Sequence, residues 1–121
     1  MNIQQLYEFC LAKKGVTEHF PFDEDTLVFK VAGKMFCLTS LSSWEEGRPS
    51  LNLKCDPQKA IEWREEFEGV LEGYHMNKKH WNTILVNQDV PDQKVIYFIN
   101  HSYELVIAHL PKKIREEFKN D

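Results

Sequence analysis

Two runs of alternating residues, joined by a two-residue connection, constrain the fold of this chain most strongly. The first run spans Thr26 to Val31 and the second spans Lys34 to Leu41, with Ala32-Gly33 between them. Alternation with a period of two places successive side chains on opposite faces of a β-strand. A two-residue connection that contains glycine is typical of a tight hairpin turn. The sequence therefore predicts an antiparallel hairpin in which Lys30 lies on the face opposite Phe29.

Helices are predicted from capping residues and from periodic apolar positions. Asn2 can cap a first helix, in which apolar residues recur at spacings of three and four. Asp56-Pro57 starts a second helix, because aspartate caps well and proline loses nothing at the first helical position. The predicted helices cover residues 2–13, 56–67 and 89–110, with Asn100-His101-Ser102 as a candidate break in the last, and a charged tail helix over 112–118.

The rest of the chain divides into strands and connections. Ser50 to Cys55 alternates apolar and polar residues and is predicted as a third strand, with Lys54 facing away from the core as Lys30 does. Asn82 to Val86 is predicted as a fourth strand. Irregular or polar connections are expected over residues 17–25, 42–49 and 69–73, and a single helical turn over 74–81.

This order of elements predicts an α+β fold, a two-layer sandwich in which helices pack on one face of an antiparallel sheet. The predicted order is α-β-β-β-α-β-α, with room for one more short strand. A chain of 121 residues has the size of one domain, so we expect a single domain over residues 1–121. The uncovered sheet face carries Lys30, Asn52 and Lys54 and is a candidate working surface.

Composition narrows the classes of function and location. The chain has 15 Lys+Arg against 19 Asp+Glu, a formal net charge of -4, which argues against a uniformly basic nucleic-acid binder. An anionic partner must therefore meet a local patch. Three cysteines without a C-x-x-C pair predict reduced thiols and a cytoplasmic protein. Neither a signal peptide nor a long apolar run is present, so we expect no membrane association.

The segment from Tyr74 to Trp81 has the highest density of side chains that could bind a ligand. It holds two lysines, two histidines, two aromatic residues and an asparagine, with no acidic residue. Lysine amino groups beside an indole suit a phosphate backbone with a stacked base or sugar. The structural alternative is that Tyr74 and Trp81 anchor the loop while Lys78 and Lys79 are only solvated.

Catalytic and metal-binding motifs are missing from the sequence. His75 and His80 are five residues apart, a spacing that matches no ligand motif such as H-E-x-x-H. The chain has no G-x-S-x-G elbow and no phosphate-binding loop, and its cysteines lie among apolar residues typical of a core. We therefore expect no enzymatic activity, no cofactor and no metal site.

Several motifs together resemble a known family. They include Pro21-Phe22-Asp23, Gly33-Lys34-Met35-Phe36, Leu53-Lys54-Cys55 and the run Gly73-Tyr74-His75-Met76-Asn77-Lys78-Lys79-His80-Trp81-Asn82-Thr83. In this order, and over nearly the whole chain, they resemble the MmcQ/YjbR family of small bacterial proteins. The resemblance implies a compact α+β fold, similar to those of frataxin (CyaY) and of secretion chaperones.

The resemblance also implies a function, since the family is described as DNA-binding through a double-wing motif of hairpin-like β elements. Carried over by position, the residues expected to bind nucleic acid or another ligand are Lys30, Lys34, Lys54, Tyr74, His75, Lys78, Lys79, His80 and Trp81. The alternative is a domain without enzymatic activity, in which the exposed sheet face and the loop from His75 to Trp81 form a groove for a protein segment or a small anionic ligand.

Overall fold

An antiparallel sheet forms the framework of the protein. The computed structural model describes residues 1–119, and within them the sheet has six strands. These are β1 (Val16–His19), β2 (Thr26–Val31), β3 (Lys34–Ser40), β4 (Ser50–Lys54), β5 (Val70–Glu72) and β6 (Trp81–Leu85). They lie in the order β1-β2-β3-β4-β6-β5, and each neighbouring pair is antiparallel.

The main helices pack on one face of this sheet. In chain order the helices are α1 (Ile3–Leu11), α2 (Leu41–Glu45), α3 (Pro57–Glu66), α4 (Asp92–Ala108) and α5 (Lys112–Arg115), followed by a 3-10 turn at Glu116–Phe118. Both predicted caps are present: the Asn2 side chain accepts a hydrogen bond from the Gln5 backbone N–H at 2.8 Å, and Asp56 caps α3. The predicted two-layer α+β architecture is confirmed.

The hydrophobic core fills the space between the sheet and these helices. Phe29 of β2 and Phe36 of β3 are fully buried against it, and Phe98 and Ile99 of α4 close it from the other side. The prediction that alternate residues of the first strand point into the core is confirmed. The cysteines Cys10, Cys37 and Cys55 are buried and free, as expected from their apolar surroundings.

Two segments predicted as irregular are regular in the structure. Residues Val16–His19 form the edge strand β1, where pairing with β2 overrides the polar sequence because an edge strand keeps one side in water. The predicted polar connection over 42–49 begins with α2. Its start is held by Asp25, whose carboxylate accepts hydrogen bonds from the Ser42 N–H and hydroxyl, a contact between residues that are distant in sequence.

Other differences arise in the second half of the chain. Helix α4 continues without a break through Asn100-His101-Ser102, because the Ser102 hydroxyl is used in bonds to the sheet and does not compete with the helix backbone. The glycine-punctuated loop contains the short strand β5, which supplies the additional strand that the sequence left room for. Residues 74–80 form turns rather than the predicted helical turn, and Trp81 already belongs to β6.

The turn between β2 and β3 contains one residue, Ala32, whose replacement should stabilise the protein. Ala32 has φ +50° and Gly33 has φ +78°, so both central residues adopt the left-handed conformation that a tight hairpin requires. Alanine is strained there, whereas asparagine tolerates it. We expect Ala32→Asn to raise the free energy of unfolding by about 0.5–1 kcal/mol in urea denaturation. Gly33→Ala is the matched control and should lower it; an unchanged or lower stability of Ala32→Asn would contradict the prediction.

Candidate functional site

The sheet face turned away from α1, α3 and α4, here called the open face, carries a continuous row of residues across four strands. Val28 pairs with Leu38, Leu38 with Asn52, and Asn52 with Thr83. Residues paired in this way lie on the same face of a sheet. The row starts apolar in β2 and β3 and becomes polar in β4 and β6, so the open face has an apolar half and a polar half.

Two lysines stand on the same open face, nearer the turn between β2 and β3. Lys30 pairs with Thr17 on one side and Met35 on the other, and Lys54 pairs with Trp81. With β3 between them, the backbones of Lys30 and Lys54 are about 10 Å apart, two strand spacings. The outward position predicted for both lysines therefore agrees with the strand register.

A flap formed by residues 73–80 folds over the open face. At its base the Gly73 N–H donates to the Trp81 carbonyl at 3.0 Å. A Cβ atom at Gly73 would lie 2.8 Å from the Trp81 Cβ and 2.9 Å from the Trp81 carbonyl oxygen. Only glycine allows the chain to approach β6 this closely, which explains why the flap begins at this residue.

Hydrogen bonds hold the start of the flap to the open face. The Tyr74 N–H donates to the Thr83 hydroxyl oxygen at 2.9 Å, and the Asn52 amide donates to the Tyr74 carbonyl at 3.3 Å. The Thr83 hydroxyl in turn donates to the Asn52 side-chain oxygen at 2.5 Å. The polar half of the open face is therefore used to dock the flap.

The middle of the flap is held by apolar contacts. Met76 packs against a small cluster on the open face formed by Val28, Leu38 and Trp81, with Met35 beside it. The Trp81 side chain is only 9% exposed. Its indole therefore stabilises the flap. The sequence led us to expect that Trp81 stacks on a base, but a buried ring has no free face for a base.

The end of the flap returns to β6 through a local turn. The Asn77 side-chain oxygen accepts hydrogen bonds from the Lys79 and His80 N–H groups, at 2.9 and 3.3 Å. The Lys78 amino group donates to the Gly73 carbonyl at 3.0 Å and so closes the flap on itself. Lys78, predicted as a contact residue, thus has a structural bond, although, like Lys79, it is exposed to solvent.

The structure gathers basic residues at one end of the sheet, here called the basic end, where the turn Ala32-Gly33 lies. At this end α1 and β4 finish, α3 starts, and the tail after α4 packs beside Gly15. Its basic residues are Lys13, Lys14, Lys30, Lys34, Lys54, Lys59, Lys79, Lys112, Lys113 and Arg115. Asp56, Glu72, Glu104, Glu116 and Glu117 are acidic residues of the same region.

Four of these lysines carry amino groups that no acid neutralises directly. Within residues 1–119, the side chains of Lys30, Lys34, Lys54 and Lys79 form no ion pair with a carboxylate. Lys13, in contrast, is bonded to Asn100 and lies over the rings of Phe9 and Tyr103. These four lysines can therefore meet an external anion without breaking an ion pair, as can Lys59, Lys112 and Lys113 within the described residues.

A cleft of about 430 Å³ opens beside Lys54 at the basic end. The imidazoles of His80 and His109 and the amide of Asn77 line it, together with Trp81. These side chains supply hydrogen-bonding groups around one lysine, with Nδ1 of His109 already 2.8 Å from the Leu105 carbonyl and the Asp56 carboxylate also lining the cleft. His109 was not predicted from the sequence, because it reaches this place only through the packing of α4 under the sheet.

Buried polar contacts fix the backbone that carries Lys54. The Lys54 N–H donates to the Ser102 hydroxyl oxygen at 2.9 Å, and that hydroxyl donates to the Phe36 carbonyl at 2.6 Å. The Asp56 N–H donates to Nε2 of His101 at 3.2 Å, which requires that nitrogen to be unprotonated. Burial, aided by the positive charge of Lys59, lowers the pKa of His101 and favours this neutral form.

The opposite end of the sheet is acidic. The loop with Asp23 and Glu24 precedes β2 there, and the loops after α3 and β6 meet where Asp89 accepts hydrogen bonds from the Glu68 and Gly69 N–H groups at 2.7 Å. Its acidic residues are Asp23, Glu24, Asp25, Glu45, Glu46, Glu65, Glu66, Glu68, Asp89 and Asp92, against the basic Arg48 and Lys94. The net charge of -4 is thus unevenly distributed between two ends.

A groove between the exposed sheet face and the loop from His75 to Trp81 was expected from the sequence. In the structure it has a volume of about 470 Å³, and Tyr74 and His75 line it from the flap. Phe22, Asp25 and Leu38 also line it and were missed, because nothing in the sequence connects residues 22–25 with the flap. Of the nine predicted site residues, Tyr74 and His75 line this groove, Lys78 is bonded within the flap, and the other six lie at the basic end or line its cleft.

Neither metal-binding clusters nor membrane-spanning helices occur in the described part of the chain. No three His, Cys, Asp or Glu side chains of residues 1–119 come together as a set that could hold a metal ion. In the same range, the helices are too short or too polar to cross a membrane. Burial and the nearby Asp56 carboxylate raise the pKa of the Cys55 thiol to about 12, so this cysteine stays protonated.

The fold and site define a class of protein: a small α+β domain whose sheet has one face under helices and the other under a flap. The YjbR family model matches residues 11–105, and the chain belongs to the YjbR family. It is 38% identical over 117 residues to the uncharacterised protein YbdF of Escherichia coli O157:H7, with 93% of each chain covered. It is 29% identical to the uncharacterised protein YjbR of Escherichia coli K12, with 96% of each covered.

Solved structures agree with this assignment. The crystal structure of Deinococcus radiodurans protein DR2400 matches with a TM-score of 0.88 and 34% identity, covering 96% of this chain and 86% of that one. A crystal structure of a Pseudomonas syringae protein matches with a TM-score of 0.73 and 26% identity, covering 87% and 98%. The fold predicted through the family resemblance is thus confirmed by structures of related proteins.

Proposed function

We propose that this protein binds nucleic acid, DNA in particular, through phosphate contacts at its basic end. The observation that carries the proposal is the separation of charge along the sheet, which puts Lys30, Lys34, Lys54 and Lys79 together although the whole chain is acidic. A local cluster of cations raises the concentration of a polyanion at that surface even when the net charge is negative. The resemblance to a family described as DNA-binding supports the same conclusion.

The geometry favours contacts to phosphates over contacts to bases. The backbones of Lys30 and Lys54 lie about 10 Å apart, a distance similar to about three base-pair rises along the DNA axis. The cleft beside Lys54 adds the Asn77 amide and the His80 imidazole as further hydrogen-bonding groups. Because the Trp81 indole is buried and the exposed Tyr74 ring lines the groove under the flap, stacking on bases has no part in the proposal. Binding should therefore depend weakly on sequence and strongly on salt.

We also propose that the protein binds without chemical turnover. The cysteines are buried, and the raised pKa values of Cys37, hydrogen-bonded by Cys10, and of Cys55 disfavour the reactive thiolate. The basic end supplies donors for a phosphate but holds no cysteine or serine nucleophile hydrogen-bonded to a histidine among the described residues. The proposed activity is therefore recognition, with no cofactor.

A titration by fluorescence anisotropy tests this proposal. A labelled DNA duplex of mixed sequence should bind at about 50 mM salt, and the Kd should rise about 100-fold at about 200 mM salt if four lysines each meet a phosphate. The absence of binding at the lower salt concentration overturns the proposal. Competition by polyglutamate as effective as that by unlabelled duplex would also overturn it, because the site would then select negative charge alone.

A further inference from the structure

The groove under the flap differs from the basic end in its chemistry. Its floor is apolar where Leu38 and Met76 meet, and its volume of about 470 Å³ falls within the range of about 300–1,000 Å³ typical of small-molecule sites. A few polar side chains, including Asn52 and Thr83, line the opposite side. An apolar cavity with a small number of polar groups is the usual form of a site for a small organic molecule.

Two exposed aromatic rings line this groove. Phe22 is 63% exposed and Tyr74 is 67% exposed, although large aromatic side chains usually bury most of their surface. They come from segments that are far apart in the sequence, the loop before β2 and the start of the flap. The Tyr74 ring also lies against the ring of His75, with centroids 4.0 Å apart. Both rings can therefore contact a ligand without any rearrangement of the core.

The charge at the groove is negative. Asp25 lines it, and within the described chain none of the residues that line it is a lysine or an arginine. Hydrogen bonds from the hydroxyl of Ser40 and from the N–H and hydroxyl of Ser42 hold the pKa of Asp25 below its usual value, so it stays ionised. The neighbouring Asp23 and Glu24 add further negative charge. The groove is thus complementary to a cation and repels the anions that the basic end would attract.

We propose that this groove binds a small organic cation, in which an ammonium group is attached to an apolar or aromatic body. The ammonium group would lie near the Asp25 carboxylate and the faces of Phe22 and Tyr74, where aromatic rings attract cations. The apolar body would cover Leu38 and Met76. This site is separate from the basic end and does not depend on binding of nucleic acid.

A two-dimensional NMR titration of the ¹⁵N-labelled protein with phenethylammonium tests this inference. Its matched anion, 3-phenylpropanoate, has a similar apolar body and the opposite charge. Phenethylammonium should shift the amide signals of Leu38, Asn52 and Thr83 in a saturable way, and the anion should bind at least about tenfold more weakly. Equal binding of the two probes, or shifts that do not saturate, would overturn the inference.

Variants locate the binding to the groove. Phe22→Ala and Tyr74→Ala remove exposed rings, so the fold should persist, and each should weaken the binding of phenethylammonium about fivefold. Leu71→Ala is the control, because Leu71 is an exposed residue on the same sheet face that does not line the groove. Asp25→Asn should remove the preference for the cation over the anion. Unchanged affinity in both ring variants would contradict the assigned site.

Discussion

Replacing Ser102 by alanine is expected to lower the free energy of unfolding by about 2–3 kcal/mol, because two buried backbone groups lose their partners at once. The Ser102 hydroxyl is fully buried; it donates to the Phe36 carbonyl of β3 and accepts from the Lys54 N–H at the end of β4. It is therefore a hydrogen-bonded link between α4 and two neighbouring strands. Urea denaturation followed by circular dichroism measures the loss.

The sign of the change in stability distinguishes the loss of these hydrogen bonds from an effect of helix propensity. Alanine is the better helix former, so Ser102→Ala would be neutral or stabilising if only the local preference of α4 mattered. Gln93→Ala, at an exposed position of the same helix, is the matched control and should change stability by less than about 0.5 kcal/mol. A similar small effect for Ser102→Ala would show that its hydrogen bonds contribute little.

Reversing two charges on the open face should have the largest effect on binding. Lys30→Glu combined with Lys54→Glu is expected to weaken the affinity for a DNA duplex by at least about 100-fold at about 50 mM salt, and to lower the salt slope by about two. Both lysines point away from the core, so the variant should keep its fold. Anisotropy titrations at several salt concentrations give both quantities.

A second double variant controls for total charge. Arg48→Glu combined with Lys94→Glu changes the net charge by the same amount, but both residues lie toward the acidic end. In the titrations at about 100 mM salt and above, its affinity should fall by less than about tenfold, since exposed charges beyond about 10 Å are largely screened there. Equal losses in the two double variants would mean that total charge, and not the basic end, governs binding.

Much of the fold was predictable from local patterns. Alternating residues and a two-residue turn predict β2 and β3, and Asp56-Pro57 predicts the start of α3, because these signals depend on neighbouring residues only. The edge strand β1 and the helix α2 were not predictable in this way. Their formation depends on pairing with β2 and on the carboxylate of Asp25, which are contacts across the fold.

The candidate site was predictable only as a set of residues. The run from Gly73 to Thr83 indicates that this segment could bind a ligand. It does not show that Lys78 bonds to Gly73 or that Trp81 is buried. The contribution of Phe22 and Asp25 to the groove has no sequence signal, because the two loops that line it meet only after the sheet has formed. Separation of the predicted residues into two sites is therefore a result of tertiary structure.

The side chains of each strand that face outward can be read from the sequence alone, since a period of two follows from the geometry of a single strand. This alternation predicts that the side chains of Lys30 and Lys54 point away from the core. Their position at one end of one face depends on the folded sheet, because the antiparallel register of β2, β3, β4 and β6 brings together residues distant along the chain. The same register placed the acidic loops at the opposite end, so a chain of net charge -4 has a basic end.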